Sequence, residues 1–254
     1  MTWNPERYLK FAEPRLRPAV DLLTRIDVAH PAHVFDLGCG AGNVTRLLKT
    51  RWPEAQITGV DDSAEMLARA AKSVAGASWV QQSLAKWQPK QAADVIYSNA
   101  ALHWLPDHHA LFAKLVSHLA PGGVLAVQMP RNFGAPSHTM IAETILAGPW
   151  REKLEPLLRP APVATPDVYY DLLSGLVNNL DVWEIEYLQV LDGVDPVKEW
   201  TKGTWLKQFL DALDAAKAAE FEADYAARVR TAYPTRRDGK TLLPFRRLFI
   251  VATR

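Results

Sequence analysis

Val34-Phe35-Asp36-Leu37-Gly38-Cys39-Gly40-Ala41-Gly42-Asn43-Val44-Thr45 runs from a short apolar strand through three glycines into a helical pattern. Glycine at such a turn permits left-handed dihedrals and close backbone approach. A glycine-rich turn at the carboxyl end of a first strand is where open α/β sheets bind nucleotides. Outward from this segment the chain keeps one rhythm. Upstream, Leu16, Val20, Leu23 and Ile26 fall at spacings of three and four, predicting an amphipathic helix over 15–26. Downstream, short apolar runs at 57–60, 79–81, 94–97 and 124–127 predict strands, with helical patterns through Leu47, through Leu67 and over 107–119. Alternating strands and helices imply a parallel sheet covered on both faces. Pro121-Gly122-Gly123 punctuates the entry to the fifth strand.

After Pro130 the rhythm changes. Residues 132–166 are proline-rich with helical pieces, 181–191 alternates as a long strand, 198–229 is mostly helical, and 248–253 is a final strand. The chain of 254 residues, 48% hydrophobic and 22% charged, suffices for one well-buried core. A single domain over 1–254 is expected, with cap segments at 132–180 and 195–232. Net charge is +1 with Lys and Arg scattered, which gives no broad footprint for nucleic acid or an anionic membrane. Cys39 is the one cysteine, so an internal disulfide and a multi-cysteine metal site are excluded. No stretch of about 18 apolar residues occurs and the N-terminus does not read as a signal peptide, so a cytoplasmic protein is expected. No His, Cys, Asp and Glu grouping has metal spacing, and no metal is expected.

Two details of the glycine turn select among nucleotides. The spacing is G-x-G-x-G rather than the G-x-G-x-x-G of dinucleotide binders, and an acid, Asp36, stands just before it. A carboxylate repels a pyrophosphate and attracts an ammonium group. Asp36 therefore favours S-adenosylmethionine, whose methionine end is cationic, over NAD. Gly38, Cys39 and Gly40 form the turn against it. The second strand ends at Asp61, where an acid can accept hydrogen bonds from ribose hydroxyls, with Asp62 as the alternative. Ser63 is placed to cap the next helix, with Glu65 in its first turn, which sets Met66 where its soft side chain can lie against adenine.

These residues resemble the class I S-adenosylmethionine-dependent methyltransferases, over roughly the first half of the chain and the last strand. The resemblance implies a Rossmann-like α/β fold: a mostly parallel seven-stranded sheet, an antiparallel last strand, and a helical cap inserted after the fifth strand. It also implies an acid at the end of the third strand that meets the adenine amino group. Ser83 stands there instead, and its hydroxyl or the backbone of Leu84 can take that role. The segment from the fourth strand into Asn99-Ala100-Ala101-Leu102-His103-Trp104 matches the family's stretch beneath the sulfonium, with carbonyls from Asn99 and Ala100.

Four further passages, at 3–11, 128–132, 199–204 and 238–247, are similar to the branch of that family that methylates a carboxylate of a tricarboxylic acid. Trans-aconitate is the acceptor this implies, with a monomethyl ester as product. Such a reaction needs no general base, because carboxylic acids of pKa near 4 are already ionised at neutral pH. The carboxylates not methylated call for cations, ideally bidentate Arg. Candidates are Arg17, Arg131, Lys202, Arg246 and Arg247, with Gln128 beside them. Consecutive Arg246 and Arg247 should face opposite ways along an extended segment, so that at most one of them enters the pocket. Trp3, Tyr8 and Trp104 are candidate lid aromatics, and His103 is a candidate hydrogen-bond partner of a substrate carboxylate. His108 and His109, at the start of a helix, read as solvated.

Three rivals stand beside this reading: a methyltransferase acting on a hydroxyl or amine, an NAD-dependent oxidoreductase, and a cofactor-binding regulatory module. The first requires a pocket base. The second conflicts with Asp36 and the glycine spacing, and the third with the elaborate cap.

Overall fold

The first strand, β1 (His33–Leu37), buries Val34, Asp36 and Leu37, and β2 (Gln56–Asp61) beside it buries Ile57, Gly59 and Val60. A computed structural model describes residues 16–254 of the chain. Its sheet continues with β3 (Ser78–Gln81), β4 (Ala93–Asn99), β5 (Leu119–Pro130), β6 (Asn179–Leu191) and β7 (Thr241–Thr253), in the order β3-β2-β1-β4-β5-β7-β6. The pairs β1·β2, β1·β4, β2·β3 and β4·β5 are parallel, whereas β7 runs antiparallel to β5 with Gln128 opposite Phe249 and Pro130 opposite Arg247. The expected seven-stranded sheet with its reversed last strand is therefore present. Strand order reverses between β1 and β4, and the crevice at their carboxyl ends is where such sheets take ligands.

The helices that cover these strands follow from local chemistry. Helix α1 (Arg17–Thr24) starts with a proline in its first turn and buries Val20, Leu22 and Leu23. Its carboxyl end is closed by the Arg51 guanidinium, which donates to the Leu23 and Ile26 carbonyls. Helix α2 (Asn43–Arg51) follows the glycine turn, and α3 (Ala64–Ser73) is capped by Ser63, whose hydroxyl accepts from Met66 N at 3.3 Å. Helix α4 (His108–Ser117) is capped by Asp107.

Two strands differ from the sequence expectation. The Pro121-Gly122-Gly123 turn lies inside β5 rather than before it: pairing with β4 jumps from Ala93↔Leu119 to Val95↔Val124, so the extra residues bulge at Gly122, φ +76°. The last strand begins at Thr241 instead of 248, because Pro244 masks a segment that otherwise alternates buried and exposed.

Chain contacts group into two units. The first holds the residues through Pro130 together with 162–185 and 247–254; the second holds 131–161 and 186–246. Helix α5 (Pro166–Ser174), within the expected cap segment 132–180, belongs to the first unit. The second unit has its own core, in which Ile145, Leu206, Phe209, Phe221 and Tyr225 are fully buried. The Tyr225 hydroxyl donates to Ser137 O at 2.7 Å and lies 3.1 Å from Thr201 Oγ1, so the polar tip of this core tyrosine is satisfied.

Candidate active site

All three glycines of the turn adopt left-handed backbone: φ is +77° at Gly38, +53° at Gly40 and +82° at Gly42. Their amides are held internally. Gly38 and Cys39 donate to Val60 O at 2.8 and 3.1 Å, Gly42 donates to Cys39 O at 3.0 Å, and Gly40 donates to Asp61 Oδ2 at 2.9 Å. The other Asp61 oxygen accepts from Ser63 N at 2.9 Å. Asp61 thus braces the turn against the start of α3 and remains half-buried.

At Gly38 a side chain is impossible in this geometry, since a Cβ would stand 2.1 Å from Ala101 Cβ and 3.6 Å from Leu84 Cδ1. The turn therefore meets the two loops that the sequence named, 83–84 and 99–101. Among the described residues, a Cβ on Gly40 would meet nothing within 4 Å beyond its chain neighbours, so they leave open space at that residue.

Asp36 is 1% exposed, and its Oδ2 accepts a 2.6 Å hydrogen bond from Thr45 Oγ1. Burial pushes its pKa up from 3.8 to about 7, the Thr45 bond opposes that shift, and the Asp61 charge adds to it. A desolvated carboxylate with a second one nearby gains most from a cation brought beside it. Burial, with Asp36 and Asp61 adding to it, also pushes the Cys39 thiol far up, which leaves it protonated and unreactive. Asp62 is exposed, its carbonyl accepting from Gln81 Nε2 at 3.1 Å, and Ser83 is exposed while Leu84 is half-buried. Met66 is 38% exposed on the first turn of α3. Asn99 closes β4, and its Oδ1 is buried with no hydrogen-bond partner. Ala100 follows with φ +55°, held by its amide on Gln128 O at 2.9 Å. A non-glycine residue in that region is strained, and such strain gathers at functional sites.

A second polar group lies just beyond β4, near the end of β5 and in the middle of β7. Arg247 is 8% exposed and its Nη1 donates to Gln128 Oε1 at 3.1 Å; Gln128 is fully buried, and its Nε2 has no partner. His103 is 6% exposed with Nδ1 likewise unpartnered. Burial first, then the Arg247 and His108 charges, hold its pKa down at about 3. Its ring centroid lies 4.6 Å from that of Trp104, which is 59% exposed.

The remaining candidates are dispersed. Arg17 is exposed at the start of α1. Arg131, Lys202 and Arg246 belong to the second unit. There Arg131 is half-buried, its amide on Arg246 O at 2.9 Å. Lys202 Nζ bonds both Glu222 oxygens at 2.8 Å, which neutralises it locally, and Arg246 approaches Glu186 at 3.5 Å. Arg246 is exposed where Arg247 is buried, as alternation along a strand requires. Trp3 and Tyr8 lie outside the described residues. Among the described residues no group of three His, Cys, Asp or Glu side chains is placed to hold a metal, and no helix is long and apolar enough to cross a membrane.

One sequence reading is corrected. His109 is exposed, but His108 is half-buried: its Nδ1 lies 2.6 Å from Tyr169 Oη and its Nε2 lies 3.1 Å from Leu102 O. Helix α5 packs over the start of α4 and removes that face from water. Sequence reasoning also passed over Thr45, whose signal was a buried-facing hydroxyl one turn after the glycines, and over the backbone of Ala100, for which there was none.

Sheet order and turn together define a Rossmann-like methyltransferase, and a family model described as a methyltransferase domain matches residues 34–123. The fold is shared with YcgJ of Bacillus subtilis (TM-score 0.57, 16% identity, 92% of this chain and 96% of that one). It is shared also with the plantazolicin methyltransferase BpumL (TM-score 0.52, 14% identity, 98% and 89%). Sequence relatives are nearer. The chain is 46% identical to the trans-aconitate 2-methyltransferase of Azoarcus sp. strain BH72 over 100% of this chain and 99% of that protein. It is 45% identical to that of Rhodopseudomonas palustris strain BisB18 over 98% of each. The chain belongs to the trans-aconitate 2-methyltransferase family.

Proposed function

We propose that this protein transfers a methyl group from S-adenosylmethionine to one carboxylate of trans-aconitate, giving a monomethyl ester. The observation that carries the proposal is end-to-end similarity to enzymes bearing that name, cap passages included. The geometry of the glycine turn supports the cofactor. Diphosphates are bound through free backbone amides at such turns, yet the amides of Gly38, Cys39, Gly40 and Gly42 are all engaged within the protein. What the turn offers is the reverse: the buried Asp36 carboxylate for an ammonium group, Asp61 or Asp62 for ribose hydroxyls, and open space at Gly40. Met66, Leu84 and the Ser83 hydroxyl serve the adenine, and the Asn99 and Ala100 carbonyls the region of the sulfonium. Bound there, S-adenosylmethionine supplies a methyl carbon attached to positively charged sulfur, open to attack by an oxygen already ionised.

Arg247, Gln128 and His103 serve the acceptor. A buried guanidinium beside an amide with a spare N–H suits a carboxylate, and the neutral imidazole can donate one more hydrogen bond. With its pKa near 3, His103 is too weak a base to deprotonate an alcohol or amine at neutral pH. That favours a carboxylate acceptor, whose methylation moves no proton. Catalysis then rests on alignment and exclusion of water. Arg17, Arg131, Lys202, Arg246, Tyr8 and Trp104 remain proposed contributors on the acceptor side, with 132–180 and 195–232 as the helical cap segments of one methyltransferase domain. The lone, buried, protonated Cys39 thiol suits a reducing cytoplasm, and the scattered charge gives no reason to add a nucleic-acid or membrane partner.

Labelled methyl transfer to a panel of di- and tricarboxylic acids, alcohols and amines tests this. Ester formation on trans-aconitate is expected; failure on every acid with turnover on an alcohol or amine overturns the acceptor. Arg247→Gln should raise KM for the acid about tenfold to a hundredfold, the loss of a charged hydrogen bond, with cofactor affinity unchanged. His103→Ala should slow the reaction about tenfold at most, whereas loss of a general base costs about 100-fold or more.

A further inference from the structure

The segment from Ala100 to Asp107 carries His103 and Trp104, and it is bracketed by two non-glycine residues in left-handed backbone, Ala100 at φ +55° and Asp107 at φ +51°. Strained residues of this kind persist only where their surroundings hold them. The segment's entry is anchored by the Ala100 amide on Gln128 O at 2.9 Å, and beyond it the backbone bonds are short-range turns, Trp104 N on Ala101 O and Leu105 N on Leu102 O. A further restraint on that turn comes from outside it. Leu102 O is an acceptor only, so the 3.1 Å contact from His108 Nε2 requires the proton on that nitrogen. In the neutral ring Nδ1 is then bare and accepts from the Tyr169 hydroxyl at 2.6 Å. The same hydroxyl oxygen lies 3.4 Å from Ala164 N, an obligate donor. These three hydrogen bonds thus run one way, from Ala164 through Tyr169 and His108 to Leu102. Burial, which lowers the His108 pKa, keeps the ring in the neutral form this chain needs. Phe112 packs beside both rings, its centroid 5.6 Å from His108 and 5.3 Å from Tyr169, and Tyr169 is 1% exposed.

We propose that His108 and Tyr169 are positioning residues: their hydrogen-bonded pair ties helix α5 to the Leu102 carbonyl and so fixes the turn that presents His103 and Trp104 to the acceptor. This rests on the reading of those two residues as the acceptor side of the site. The contacts described for the pair do not reach the glycine turn, and Ala100, whose carbonyl serves the cofactor, is anchored by its own amide on Gln128 O at 2.9 Å, so the pair acts on alignment of the acceptor.

Tyr169→Phe keeps the ring packing and removes only the hydroxyl. Expected are a fall in kcat of up to about tenfold, no larger than removal of His103 itself causes and the effect of a small misplacement at the acceptor, an unchanged cofactor Kd, and faster amide exchange confined to residues 100–107. His108→Gln, which retains an N–H for Leu102 O, should recover part of the rate lost in His108→Ala. Unchanged exchange at 100–107 would overturn the proposal, as would a uniform rise in exchange with no local excess, or a Gln variant no better than Ala. Exchange is read without substrate, so it tests the latch even if the acceptor proves to be another acid.

Discussion

Gly38→Ala should abolish measurable S-adenosylmethionine binding, a loss of more than about a hundredfold, and lower the melting temperature. Two costs combine. A β-carbon at φ +77° carries the left-handed penalty of about 1–2 kcal/mol, and at 2.1 Å from Ala101 Cβ it must displace backbone. Ala101 sits next to strained Ala100 and close to Asn99, so the displacement is delivered to the loop that closes the cofactor site. Gly40→Ala is the informative contrast. Its added carbon meets nothing within 4 Å among the described residues beyond its chain neighbours, so the dihedral penalty dominates the effect on folding and the melting temperature should drop by a few degrees. Cofactor affinity should still fall, because the methyl group enters the space left for the ligand. Thermal melts and calorimetric titration of both variants check the pair; equal affinity of Gly40→Ala and wild type would show that the ligand lies elsewhere.

Asp36→Asn should weaken cofactor binding by about ten- to a hundredfold at pH 8, corresponding to a charge-assisted contact of about 1.5–3 kcal/mol. The pH dependence sharpens this. With the pKa of Asp36 raised to about 7 in the free protein, a cationic ligand must draw off a proton to bind below that value. Wild-type affinity should therefore decline toward tenfold per pH unit below about pH 7, while the Asn variant stays flat. The stability of the free protein has the opposite slope. Between about pH 4 and pH 7 the native Asp36 retains a proton that the unfolded chain has lost, so this group's contribution to stability is complete below pH 4 and is lost as pH rises through 7. The Asn amide oxygen can accept the Thr45 hydroxyl as the carboxylate does. Above pH 7 the ligand-free variant should therefore melt higher than wild type, on the order of 5 °C. Matching affinities in a folded variant would remove Asp36 from the site.

Which of these features the sequence disclosed follows from how local their causes are. The strand, the three glycines and the acid before them lie within twelve residues, and the strand-helix rhythm places that segment at the sheet's centre. Asp61 is reached the same way, through the next strand end. Longer-range features were hidden. Nothing near His108 announces a tyrosine 61 residues on that removes it from water. Lys202 reads as a mobile cation until Glu222, 20 residues away, is seen to hold it. Pro244 disguised the first half of β7, and with it the fact that Arg247 lies within a strand, buried against Gln128. The left-handed backbone of Ala100 has no sequence signature, since alanine is indifferent until the neighbouring strands fix it.

A crystal structure with S-adenosylhomocysteine bound would test the arrangement most directly. The account predicts the amino nitrogen of its amino-acid tail within hydrogen-bonding reach of Asp36, directly or through one water, and the ribose hydroxyls on Asp61 or Asp62. A tail bound away from Asp36, or a crevice that accepts a diphosphate in its place, would contradict it.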